Sequence, residues 1–241
     1  MLFNAPQEFG QPLLLEDYVN IQQPVTTSSL SLCAVCHITA SSQRCSNCKN
    51  IHYCSSQCQT CDWPQHKLLC KQFVSSQDAR PSLSHRRALY LPDKSSKLSF
   101  TWLQYGNNGY PLDRQKLFPD TPIAELKTIA FYSRFLPYWI QISYDSNPHG
   151  RSLNKNECAE RLLNTTSGAS KWSGPLVVLV YSAEEGLEKP ALDVDTSVLG
   201  PLVNYLRLRS EYEGPVFVEQ PQEQWEGTEL LRILGEEGEQ R

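Results

Sequence analysis

The hydrophobic rhythm of the chain changes several times along its length. Residues 1–32 are rich in Gln, Pro, Ser and Leu, and only 13–19 is amphipathic, a short piece able to fold as a helix or to dock on a partner. Such a composition buries little surface by itself, so 1–32 is expected to be a disordered arm. Residues 72–85, QFVSSQDARPSLSH, carry Ser, charge and Pro81 where apolar periodicity would be needed, and read as a linker. From Arg86 the pattern becomes that of a folded domain. Segments 88–91 (ALYL), 98–103 (LSFTWL) and 137–144 (PYWIQISY) have strand composition, the last two alternating apolar and polar. Segment 175–181 (PLVVLVY) is a continuous apolar run suited to a buried strand. Helical spacing predicts helices over 158–163 and 196–208, and a shallower one over 123–135. Thr196 is the expected N-cap of the second, with Gly200-Pro201 distorting its early turns. Strands and helices mix without a βαβ rhythm, so 86–210 is expected to be an α+β domain of unknown topology. Beyond it, 211–241 is an acidic tail interrupted only by VFVE and ELLRIL.

No apolar run approaches the roughly 20 residues a spanning helix needs. The opening MLFNAPQEFGQP has neither the basic nor the long apolar segment of a secretory leader. A protein of the nucleus or cytoplasm is expected, in a reducing compartment where disulfides do not persist.

Cysteine changes the picture most. Eight of the nine cysteines lie between Cys33 and Cys70, and seven of them fall with His66 into four pairs, Cys33-x2-Cys36, Cys45-x2-Cys48, Cys54-x3-Cys58 and His66-x3-Cys70. Four donor pairs make two tetrahedral zinc sites. A Cys-x2-Cys knuckle aims two sulfurs at one ion, and pairs at i and i+4 share a face of a helical turn. Asp62 ahead of Trp63-Pro64 suggests an N-cap and a second helix, making 33–71 a small, α-rich finger. Its larger apolar side chains are Val35, Ile38, Ile51, Tyr53, Trp63, Leu68 and Leu69, too few for an independent core. Segments below about 40 residues depend on metals or disulfides because of this shortage. Both sites are filled by protein donors, leaving no open position for water, so the zincs are expected to be structural and not catalytic. Spacing alone permits sequential or interleaved pairing.

Formal net charge is −4. The finger holds Arg44, Lys49, Lys67 and Lys71 against Asp62, and seven thiolates against two dications bring it near neutrality. The last 31 residues hold nine Glu against Arg232 and Arg241. A nucleic-acid module needs a surplus of Lys or Arg on one face. Protein binding is therefore the preferred reading, with a DNA-associated transcriptional regulator as the alternative. A further alternative is an enzyme in 86–210 seeded by Asp145, His149 and Cys158. The loop-forming context of His149 and the helical context of Cys158 argue against it, and no enzyme activity is expected.

The run 53–70, YCSSQCQTCDWPQHKLLC, behind two Cys-x2-Cys pairs, resembles the MYND-type zinc finger. The resemblance implies interleaved ligation, in which Cys33, Cys36, Cys54 and Cys58 hold one zinc and Cys45, Cys48, His66 and Cys70 hold the other. It also implies a peptide groove at Ser46, Gln59 and Trp63, taking short Pro-rich peptides, in a regulatory, transcription-linked adaptor. Cys61 departs from the pattern and is expected to be a spare thiol, with His37 and His52 as surface or packing residues. The stretches RRALYLP from Arg86, TWL from Thr101, DSNP from Asp145 and WSGPLVV from Trp172 look like a region that follows the finger in fungal MYND proteins. No activity is implied by that similarity. MYND fingers also occur in SET-domain methyltransferases, but no SET motif is recognisable downstream here.

Overall fold

The structure, a computed structural model, describes residues 13–15, 33–36, 43–76, 80–106, 109–118, 122–131, 134–148, 150–165, 171–183, 185, 189–211 and 216–218. In chain order the elements are β1 (Leu13–Leu15), β2 (Gln43–Arg44), β3 (His52–Tyr53), α1 (Ser56–Ser76), β4 (His85–Leu91), β5 (Ser99–Gln104), β6 (Ile123–Phe131), β7 (Arg134–Asp145), α2 (Glu157–Leu163), β8 (Leu176–Ser182), α3 (Leu199–Glu211) and β9 (Val216–Val218). Short 3-10 turns occupy Arg114–Leu117 and Thr196–Val198.

The part after the finger is sheet-rich. Five antiparallel strands lie in the order β5-β4-β8-β7-β6. β8 is central, and all of its residues are buried, which is why its sequence is apolar without alternation. One face carries Leu89, Leu91, Ile140, Ile142, Leu176 and Val178 against α2 and α3. The opposite face carries Ala88, Leu103, Val177, Leu179 and Tyr181 against Tyr105 and Phe118. Asn156 ties the layers together. Its side chain caps α2 by accepting from Ala159 N at 2.7 Å, and its amide donates to the carbonyls of Leu91 (3.0 Å) and Gly174 (2.7 Å).

Several expectations are corrected. Residues 123–131 form an edge strand, not a helix. A register shift between Thr128 and Ala130 breaks the period of two, and the resulting spacing imitates a helical one. The expected linker at 72–85 begins inside α1, which continues to Ser76 because Phe73 is buried and Gln72 donates to Leu98 O at 3.0 Å. The cap before α3 is Asp195, whose Oδ1 accepts from Ser197 N at 2.7 Å, and Thr196 begins the 3-10 turn. Within the expected disordered arm, Leu13–Leu15 is not helical but pairs in parallel with Val216–Val218, the VFV of the acidic tail. The remainder of both segments, including ELLRIL, lies outside the described residues. Among the described residues no helix is long and apolar enough to cross a membrane.

The finger itself is not α-rich. Its first half is turns and the β2–β3 hairpin, and only α1 is helical. No second helix begins at Asp62: α1 runs through Pro64 without a break. Finger and sheet are in contact, with Leu69 of α1 entering the sheet core and Phe73 meeting Phe100 edge to face at 6.0 Å.

Candidate metal centre

Local structure carries each donor to its place. The turn that starts at Cys33 is stitched to β3, where Ala34 N donates to His52 O at 2.9 Å. Cys54 follows β3, and Cys58 lies in the first turn of α1, which Ser55 caps by accepting from Cys58 N at 3.2 Å. Cys45 and Cys48 flank a second knuckle closed by Lys49 N to Cys45 O at 3.1 Å, with Lys49 in the left-handed region at φ 57°. His66 and Cys70 project from one face of α1, a turn apart.

Two donor sets result. Cys33, Cys36, Cys54 and Cys58 place their Sγ atoms within 4.8 Å of one another, and Cys45, Cys48, His66 and Cys70 do the same with three sulfurs and a ring nitrogen. The separations are 3.5 Å for Cys36–Cys54 and for Cys54–Cys58. Cys45–Cys70 and Cys48 Sγ to His66 Nε2 are each 3.7 Å. Four sulfurs bound tetrahedrally at ~2.3 Å stand about 3.8 Å apart, so these edges suit a zinc ion. All nine cysteines are unbridged. The grouping is interleaved, and α1 contributes to both sets.

The charge of the donors points the same way. Burial pushes the Cys33 thiol up, but backbone N–H groups of Cys36, Cys54 and Val35 outweigh it and bring the thiol down to about 7. Against Cys58, the Ser55 hydroxyl is overcome by burial and by the Cys54 and Cys33 sulfurs, and this thiol is pushed up to about 12. The second set repeats the contrast. Cys45 is lowered by the backbone at Cys48 and Asn47 in spite of burial, while burial and Cys45 push Cys48 up to about 11. One thiolate forms readily and then opposes the next, the behaviour of like charges sharing a small volume. A dication removes that opposition. Two structural zinc ions therefore fit the two sets, one of four cysteines and one of three cysteines and a histidine, and such an ion supplies a cross-link in place of a core.

Neighbouring groups, not evident from the donor spacing, hold the donors. Asn47 Nδ2 donates to Cys70 Sγ at 3.2 Å. Tyr53 Oη donates to Asp62 Oδ2 at 2.7 Å, pinning the hairpin to α1 and giving Asp62 a role other than capping. The His66 ring is flanked by Tyr53, edge on at 6.5 Å, and by Trp63, tilted at 6.0 Å.

Gln59 and Trp63 lie one turn apart on α1, Gln59 half-buried and Trp63 50% exposed. Ser46 is exposed in the knuckle between Cys45 and Cys48. Cys61 is exposed and belongs to neither donor set. His52 is half-buried in β3, and His37 lies outside the described residues. Asp145 is buried at the end of β7, where it accepts from Asn147 N at 2.7 Å and meets Arg151 at 3.6 Å. Cys158 is buried in the sheet core, and burial pushes its thiol up to about 12. His149 lies outside the described residues.

Comparison with known proteins converges on the finger. The family model "MYND finger" matches residues 33–70. The zinc finger MYND domain-containing protein 10 homolog of Drosophila melanogaster is 55% identical over 38 residues, 16% of this chain and 8% of the relative. The SET domain and MYND-type zinc finger protein 6 of Schizosaccharomyces pombe is 42% identical over 60 residues, 25% of this chain and 12% of the relative. A longer similarity, 27% identical over 186 residues, links the chain to ubiquitin carboxyl-terminal hydrolase 19 of Arabidopsis thaliana, covering 74% of this chain and 25% of the relative. The chain thus spans a quarter or less of the length of these relatives. No solved structure matches. A four-cysteine set and a set of three cysteines and a histidine, interleaved along 33–70 and matched there by the family model, make residues 33–70 of this chain a MYND-type zinc finger.

Proposed function

We propose that the chain is a protein-interaction adaptor whose finger docks short, extended, Pro-rich peptides across Trp63, Gln59 and Ser46. The observation that carries this reading is the state of Trp63. One part of its ring rests on the zinc-site histidine, and half of the side chain is open to solvent. Zinc would hold that histidine rigid, so the indole is a preorganised aromatic platform. A polyproline-type ligand has little conformational entropy to lose and packs well on such a face. Gln59, a turn away, is placed on the chain to hydrogen-bond a ligand backbone. The near-neutral finger and acidic tail favour a protein partner over nucleic acid. A transcription-linked, nuclear or cytoplasmic role is part of the same proposal.

A second reading follows from the similarity to the plant ubiquitin hydrolase, which extends well beyond the finger. On this reading the chain serves ubiquitin removal, as a docking region and not as the catalyst. Cys158 supports the non-catalytic version, because a thiol sealed in the sheet core with a raised pKa is a poor nucleophile. Titration of the zinc-loaded chain with a fluorescent Pro-rich peptide library, wild type against Trp63→Ala, tests the primary reading. Selected peptides should lose at least tenfold in affinity in the variant, and equal binding by both proteins would retire the groove.

A further inference from the structure

A histidine that ligates zinc through one ring nitrogen normally hands its other N–H to a carboxylate, a carbonyl or a water, and that partner fixes the tautomer and the ring angle. His66 turns Nε2 toward Cys48 Sγ, inside the second donor set. Its Nδ1 points away from the set, is buried, and has no hydrogen-bond partner among the described residues. The ring is only 1% exposed and is flanked by Tyr53 and Trp63, so bulk water does not serve it.

The segment leading into α3 faces this part of α1. Helix α1 packs on the turn Thr196–Val198, and Asn50 Nδ2, beside the knuckle, donates to Thr196 Oγ1 at 3.5 Å. Asp195 heads that turn. Its Oδ1 is taken by Ser197 N at 2.7 Å and by Ser197 Oγ at 2.6 Å, which leaves Oδ2 for another donor.

We propose that Asp195, contributed by the sheet domain, is a positioning residue of the second zinc site: its Oδ2 receives His66 Nδ1–H through one bridging water, holding the tautomer that presents the Nε2 lone pair to the metal. A buried ring N–H and a carboxylate are the kind of anchors that retain an ordered water. The finger is then not self-sufficient. Its four-cysteine site is complete within residues 33–58, but the site that includes His66 draws its outer support from a residue more than a hundred positions downstream.

The test is metal competition on the full chain. Wild type, Asp195→Asn and Asp193→Asn are stripped of metal, reloaded with cobalt(II), and titrated against a chelator of known affinity. The two sites are followed separately, because cobalt centres with four thiolates and with three thiolates and an imidazole absorb differently. Asn at 195 keeps an acceptor for Ser197 N and so preserves the cap. Asp193 lies in the same segment but serves Arg80 and the backbone of Arg87, and is the control for simple loosening. The proposal predicts a loss of about tenfold or more at the histidine-containing site of Asp195→Asn alone. It also predicts that the His66 Nδ1–H signal in a 15N–1H spectrum of the zinc form, slow to exchange in wild type, exchanges faster in that variant. Unchanged affinity in Asp195→Asn, or an equal loss at both sites, or the same selective loss in Asp193→Asn, would overturn it.

Discussion

The guanidinium of Arg87 lies over the ring of Phe73, 4.4 Å from its centroid, and this contact clamps the helix of the zinc finger to the sheet. Arg87 is 7% exposed on β4 and is also near the rings of Phe100 (5.1 Å) and Trp102 (5.7 Å), while its Nε donates to Val194 O at 2.7 Å. Aromatic faces and a carbonyl thus replace a paired carboxylate as the main partners of the buried charge.

Arg87→Ala should therefore destabilise the chain by about 2–3 kcal/mol, from lost cation–π contacts, lost packing and an orphaned carbonyl. Arg87→Lys should recover little of this, since an ammonium neither stacks flat on Phe73 nor reproduces the Nε bond. Thermal unfolding followed by circular dichroism measures both. Phe73→Ala should cost about 3–4 kcal/mol.

Asn156→Ala should be as damaging as a core truncation. It removes the α2 cap and strips two buried carbonyls of a donor, together about 2–4 kcal/mol. Urea denaturation should show a lower midpoint at unchanged slope.

The two cysteines outside the donor sets should separate cleanly in labelling. Cys61, exposed, should react with iodoacetamide in the folded, zinc-loaded protein, whereas Cys158 should stay unmodified until denaturant is added. Peptide mass mapping distinguishes them.

Acid stability should depend on Glu125. Burial pushes its carboxyl up, but Arg114, which bonds it directly, and Lys127, at 3.3 Å, outweigh that and hold it below its ordinary value of 4.5. A folded-state pKa that is depressed contributes stability fully above the unfolded value, and that contribution is lost as pH falls through the folded one. Glu125→Gln should hence lower stability at pH 7, and the difference between wild type and variant should lessen below about pH 4. The effect is modest because the carboxylate is 28% exposed.

What the sequence reveals here follows the range of the forces involved. Donor spacing is a local property, so Cys33 through Cys70 announce two metal sites, and the grouping of the pairs comes from resemblance where spacing is silent. Strand β8 is legible because both of its faces are buried, and β4, β5 and β7 because their composition is that of strands, with apolar and polar residues alternating in β5 and β7. β6 is not, because its bulge at Thr128–Ala130 erases the alternation. The extension of α1 to Ser76 and the clamp at Arg87 are tertiary effects. A Ser-rich stretch becomes helical because Phe73 finds Phe100 and Arg87, and nothing within 72–85 encodes those partners. The cap at Asp195 differs from the expected one by a single position, since Thr196 is also a capping residue type.

The interleaved pair of closed zinc sites is tested most directly by native mass spectrometry of metal content in wild type and three double variants. Wild type should carry two zinc ions. Cys36→Ser with Cys54→Ser should retain one, as should Cys45→Ser with Cys70→Ser, because each pair belongs to a single site. Cys36→Ser with Cys45→Ser should retain none, since it damages both. Fewer than two ions in wild type, or one ion retained in this last variant with none in the other two, would contradict the account.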